Sequence, residues 1–293
     1  MTDFKNLRVL WDGQFRLGEG PLYCPTTESV YWVNILGSAL HRVSLTGGAH
    51  TSWQFASAPT SIHHHAAGGF ILTMQKGFAR WQGDDAPPTP LPSPETDLPG
   101  NRFNDAKTDG AGRLWAGTMD NAEADETGAL YRLDTDGTWQ TIDNGYCITN
   151  GPAFSPCGRW LYHTNTVKRE IYRFALAADG SVSDKTTFIR ITPDHGYPDG
   201  MTVSQDGDIW VCHFFGGRIS RYGSDGQLKC QFRLPVSNIT SCAFVGPGLT
   251  QLAITTARKA LTPEQLEREP LAGALFLADV DDAVGVPVRA YGR

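Results

Sequence analysis

An all-β ring of six four-stranded blades, a six-bladed β-propeller, is the fold this 293-residue sequence predicts. Three observations predict it. Short apolar strands separated by Gly-containing turns fill nearly the whole chain. They group into six units spaced by roughly 40–50 residues, the period of a propeller blade rather than of a sandwich or a solenoid. A polar residue also recurs at one position of the frame. Asn104, Asn150 and Asp199 each stand eight positions before a turn glycine, namely Gly112, Gly158 and Gly207. A bulky residue, Trp115, Leu161 or Trp210, follows that glycine by three.

Each unit has an apolar strand after a turn, then a second strand, then another Gly turn. Unit one pairs Val30–Val33 with Ala39–Val43, and unit two pairs Phe70–Met74 with Gly77–Trp81. Units three and four pair Arg113–Gly117 with Ala129–Leu133, and Trp160–His163 with Glu170–Phe174. Unit five pairs Ile209–Cys212 with Arg218–Tyr222, and unit six pairs Leu252–Thr255 with Gly273–Leu277. Two terminal strands, Leu7–Trp11 and Val286–Tyr291, have no unit of their own. Pairing the first with the last blade removes the free edges of an open array, and Val286–Tyr291 is expected in that same sheet. Thr262–Arg268 reads as the one helix, with Thr262 as N-cap, Pro263 at the first helical position and Gln265 completing a capping box. Asp84–Gly100 holds six prolines and reads as a loop. No composition shift marks a boundary, so residues 1–293 are expected to form a single domain.

Composition narrows the function. The net charge of −6, with no basic cluster, argues against nucleic acid as a partner. No apolar run approaches the ~20 residues of a membrane helix, and the polar, acidic start does not read as a signal peptide. The six cysteines lack C-x-x-C or zinc-ribbon spacing and read as reduced thiols of a cytoplasmic protein. A monomer or weak dimer is expected.

The polar frame extends to the other units. Glu19 precedes a strand and is followed by Gly20, as Asn150 and Asp199 are followed by Gly151 and Gly200. Unit two offers Thr60 or Ser61, and unit six offers Thr240. The innermost strand of each propeller blade starts beside the central channel. Glu19, Asn104, Asn150 and Asp199 are therefore expected to meet at one end of it. Two carboxylates and two amide oxygens are hard ligands, suited to Ca²⁺, Mg²⁺ or Mn²⁺ more than to Fe or Zn. Two carboxylates this close repel each other unless a cation lies between them.

The segments Leu17–Pro21, Asn101–Asp105, Thr149–Pro152 and Tyr197–Gly200 resemble the signature segments of the regucalcin/gluconolactonase (senescence-marker-protein) family, over essentially the whole chain. Thr255–Lys259 and Pro270–Gly273 are similar to its bacterial sugar-lactonase branch, which includes xylono- and arabinono-lactonases. The resemblance implies a six-bladed propeller with one divalent metal ion in the channel. It implies Glu19, Asn150 and Asp199 as metal ligands, Asp199 also as general base, and Arg102 and Asn104 as substrate contacts. Some relatives contact substrate through a Glu whose counterpart here falls at about Ala122, beside Glu123. Many carry Asp where this chain has Asn165. His63, His64, His65 and His195 are further candidates for lining the channel mouth.

The function expected on this resemblance is a metal-dependent sugar lactonase opening an aldono-lactone to the aldonic acid. In this reading Arg102 donates a fork of hydrogen bonds to the sugar or the developing oxyanion. A G-x-S-x-G elbow is absent, so no acyl-enzyme is expected. The alternatives are a phosphotriester or other ester hydrolase on the same metal, and a non-catalytic calcium-binding propeller.

Overall fold

The computed structural model describes residues 1–293. Six sheets surround a channel, each built outward from an inner strand. The inner strands are Gly18–Cys24, Pro59–His64, Asn101–Thr108, Thr149–Phe154, Tyr197–Val203 and Ile239–Val245, which number blades 1 to 6 in chain order. Every inner strand touches the next, and the sixth touches the first, so the ring is closed. Second and third strands alternate large apolar residues toward the neighbouring blade. Trp32, Trp81, Trp115 and Trp210 are fully buried between sheets. This is the close packing of two inner faces repeated around a circle.

The N-terminal strand Lys5–Trp11 pairs antiparallel with Leu275–Asp279 and completes blade 6, as expected. Thr2–Asp3 adds a parallel fifth strand to blade 5. The C-terminal expectation is overturned. Residues 286–291 join no sheet. They cross the channel end away from the inner-strand starts, where Thr108 Oγ1 donates to Arg289 O (2.5 Å) and Tyr291 N donates to His64 O (2.8 Å). Blade 6 already has four strands once Lys5–Trp11 is in place, and Pro287 lacks the N–H a further ladder would need. The Pro-rich stretch also differs from a plain loop, because Thr89–Pro90 within it is the outer strand of blade 2. The helix Pro263–Arg268 forms with both halves of its capping box present. All six cysteines are unpaired. No helix is long and apolar enough to cross a membrane.

Candidate active site

The six inner strands share one irregularity. Each breaks register near its start, between Glu19 and Leu22, Pro59 and Ser61, Phe103 and Ala106, Asn150 and Ala153, Pro198 and Met201, and Ile239 and Ser241. A β-bulge turns a side chain out of the pleat. Here it aims the residues at that point into the channel. Blades 1, 3, 4 and 5 carry Glu19, Asn104, Asn150 and Asp199 at or beside their bulges, the last three at the position the eight-residue frame marks. Gly151 follows Asn150 with φ +74°, a conformation that costs glycine little. Gly200 follows Asp199 where an added Cβ would stand 2.4 Å from Ser241 Oγ.

Four of the six bulges contribute to one cleft. Glu19, Arg102, Asn104, Asn150 and Asp199 line a cavity of about 350 Å³ with Leu17, Met119, Ile148, Tyr197 and Phe214. All five of those polar side chains are buried. The remaining two bulges hold Thr60 and Thr240, whose hydroxyls are spent on neighbours: Thr60 on Thr73 Oγ1 (2.7 Å), and Thr240 by donation to Gly18 O (2.6 Å).

A chain of hydrogen bonds fixes the two amides. Arg102 Nη1 donates to Asn104 Oδ1 (2.6 Å), and Asn104 Nδ2 donates to Thr149 O (2.7 Å) and Asn150 Oδ1 (3.1 Å). Asn150 Nδ2 donates to Thr166 Oγ1 (2.9 Å), which donates onward to Pro198 O (2.9 Å). Asn104 thus has its oxygen committed to Arg102, while Asn150 is held with its nitrogen turned away toward Thr166. Asp105 lies deeper, its carboxylate accepting from Ala106 N (2.8 Å) and Gly151 N (3.0 Å). Asp105 and Thr166 were not singled out from the sequence. Asp105 directly follows Asn104 at the bulge and carried that signal. Thr166 sits at the end of a neighbouring strand and carried none.

The electrostatics are strained. Burial, then Asp199, then Asp105, push the Glu19 carboxyl well above the usual range. Burial and Asp105 do the same to Asp199, opposed by Lys259. Burial raises Asp105 to about 6. Repelling carboxylates buried together are stabilised by a cation, and Glu19, Asp199 and the Asn150 amide oxygen form a donor set for a hard one.

The histidines lie elsewhere. His63 is buried on the opposite side of the bulges, bonded to Ser61 Oγ (3.0 Å). His64 Nε2 meets Tyr23 O, and His65 packs on Tyr291. His195 stands beside Asp194 and is not among the cleft residues. Glu123 does line the cleft, whereas Ala122 and Asn165 do not.

Fold and site together define a propeller with an acidic, amide-lined axial cleft. Residues 17–258 match the SMP-30/Gluconolactonase/LRE-like family, and the chain belongs to it. The pentonolactonase of Haloferax volcanii is 36% identical over 84% of this chain and 83% of its own length. The 6-deoxy-6-sulfogluconolactonase of Pseudomonas putida is 31% identical over 90% of this chain and 91% of its own. The crystal structure of the calcium-binding protein regucalcin from Agrobacterium tumefaciens superimposes with a TM-score of 0.94 at 27% identity, covering 100% of this chain and 99% of that one.

Proposed function

We propose that this protein is a metal-dependent lactonase that opens sugar lactones to aldonic acids in the cleft of Glu19, Arg102, Asn104, Asn150 and Asp199. The observation that carries the reading is the convergence of two buried carboxylates, an oriented carboxamide and a buried guanidinium in one cavity. Relatives named as lactonases at 31–36% identity support the reaction class.

Glu19, Asn150 and Asp199 would hold one divalent cation, Ca²⁺, Mg²⁺ or Mn²⁺ by ligand hardness. When bound, it supplies Lewis-acid polarisation of the ester carbonyl. The chain's own residues do the rest. Arg102, fixed against Asn104, presents its remaining N–H groups to the substrate's oxygens. Leu17, Met119, Ile148 and Phe214 give the cleft apolar walls, which lower the local polarity and strengthen each charged contact. Asp199 accepts a proton as a water molecule adds to the lactone carbonyl carbon. The ring C–O bond then breaks, and the leaving alkoxide takes that proton to become the hydroxyl of the aldonic acid.

A pH-stat assay over five- and six-carbon lactones, with single metals added back after chelation, tests this. Acid release above the spontaneous background, dependent on added metal, is the expected result. Release only from phosphotriesters would replace the lactonase reading with the other hydrolase, and no release from any ester would leave a binding protein.

A further inference from the structure

The mouth of the cleft carries an ion pair that this chemistry does not use. Lys259 Nζ and the Glu123 carboxylate are paired, and both residues line the cavity. Lys259 follows the second strand of blade 6, and Glu123 follows the second strand of blade 3. These blades face each other across a six-membered ring, so the pair spans the opening.

Both ends are anchored by backbone. Lys259 N donates to Arg16 O (2.9 Å), and Lys259 O accepts from Asn238 Nδ2 (2.8 Å), tying the residue to the segment that leads into Glu19. Glu123 stands in a turn clasped by Asp120, whose carboxylate accepts from Ala122 N (3.1 Å), Ala124 N (3.0 Å) and Asp125 N (3.0 Å). Glu123 itself has φ +58°, so the turn, rather than a relaxed strand, sets its direction. The two side chains are 30% and 35% exposed, a level at which an ion pair is held weakly and exchanges partners readily. Inward lie Arg102, on which Glu123 acts, and Asp199, on which Lys259 acts.

In the lactonase reading, a lactone held by its ester against Glu19, Asn150 and Asp199 would turn its far end toward this mouth. We propose that the Lys259–Glu123 pair, spanning the cleft from two facing blades, is its specificity element. Its donor and acceptor take the terminal hydroxyls of the substrate, and Glu123 keeps Lys259 neutralised. Uncharged lactones are thereby preferred to lactones ending in a sulfonate, phosphate or carboxylate. An anionic end would have to displace the Glu123 carboxylate from its partner and lie beside it. This rests on the lactonase reading above.

The test measures kcat/KM for an uncharged hexonolactone and for the same lactone bearing a terminal sulfonate, in the parent protein, Glu123→Gln, Lys259→Gln and the exchanged double variant Glu123→Lys/Lys259→Glu. Glu123→Gln should raise the ratio of sulfonated to uncharged activity by roughly tenfold or more, because Lys259 loses its counter-charge. Lys259→Gln should lower the ratio. The changes should fall mainly on KM, since the pair binds the far end of the substrate. The double variant should return toward the parent ratio. A ratio unchanged within about twofold in both single variants, with the parent active, overturns the specificity role alone. A parent inactive on every lactone overturns the lactonase reading and this inference with it.

Discussion

At one end of the channel the inner strands deliver Glu19, Asn150 and Asp199 to a 350 Å³ cleft rimmed by half-exposed Val167 and Phe215. At the other end the same strands line a 460 Å³ cavity with His63, Asp105, Lys107 and Ser241, and Val286–Arg289 form one of its walls. The bulges divide the two. Outside them, polar side chains lie together with their charges unbalanced. Inside them, chain segments from blades 2, 3, 5 and 6 are tied to the C-terminal strap: Tyr291 N donates to His64 O, Gly292 N to Gly112 O, Gln205 N to Val284 O, and Gly285 N to Leu249 O. One end therefore gathers buried, mutually repelling carboxyls at a cost in electrostatic strain. The other end holds the ring together.

Substitutions at the two ends should separate these roles. The largest effect is expected at Asp199→Asn, which keeps an oxygen but removes proton acceptance. Lactone hydrolysis should fall by about 10²–10⁴ in kcat, with part of the bound metal retained by elemental analysis. Thr166→Val removes the hydroxyl that accepts from Asn150 Nδ2, so Asn150 is free to rotate. Loss of such an orienting partner typically costs roughly 10–100-fold in metal affinity, readable by metal titration followed calorimetrically.

At the strapped end, Tyr291→Ala empties a site where the ring is buried and its hydroxyl donates to Asp134 O (2.7 Å). Unfolding in denaturant should show a loss of about 3 kcal/mol, with kcat per folded molecule unchanged. A fall in kcat matching that at Asp199 would erase the contrast between the ends.

The smallest effect is one of pH. Burial raises Asp105 to about 6, and Glu19 and Asp199 are also raised. A carboxyl whose folded pKa lies above its unfolded value binds more protons when folded, so stability falls as pH rises between the two values. Metal-free protein should therefore gain stability as pH drops from 7 toward 5. Asp105→Asn, which cannot titrate, should gain less, by at most about 3 kcal/mol. Thermal melts in chelator across that range read the difference.

Much of this was legible in the chain because blade geometry repeats. The eight-residue spacing from Asn104, Asn150 and Asp199 to their turn glycines is the length of an inner strand with its bulge, so equal spacing meant equal position. Glu19 was found without a turn glycine, through the Gly that follows it. The bulges themselves were not read, although Gly20, Gly151 and Gly200 are their trace. The strap was misjudged because Val286–Tyr291 alternates like a strand, and periodicity does not show which edge is already filled. Contacts between blades left still less signal. Thr166 and Lys259 reach the site from loops and strand ends whose positions depend on the closed ring. His63 belongs to the far side because it lies beyond the bulge between Pro59 and Ser61, further along its inner strand.

Metal dependence of hydrolysis at the open end is the most direct test. Parent protein stripped with chelator should lose its lactonase activity and regain it saturably with one equivalent of a hard divalent cation, while Glu19→Gln should require far more. Full activity in excess chelator, with no metal found by elemental analysis, would contradict the assignment of Glu19, Asn150 and Asp199.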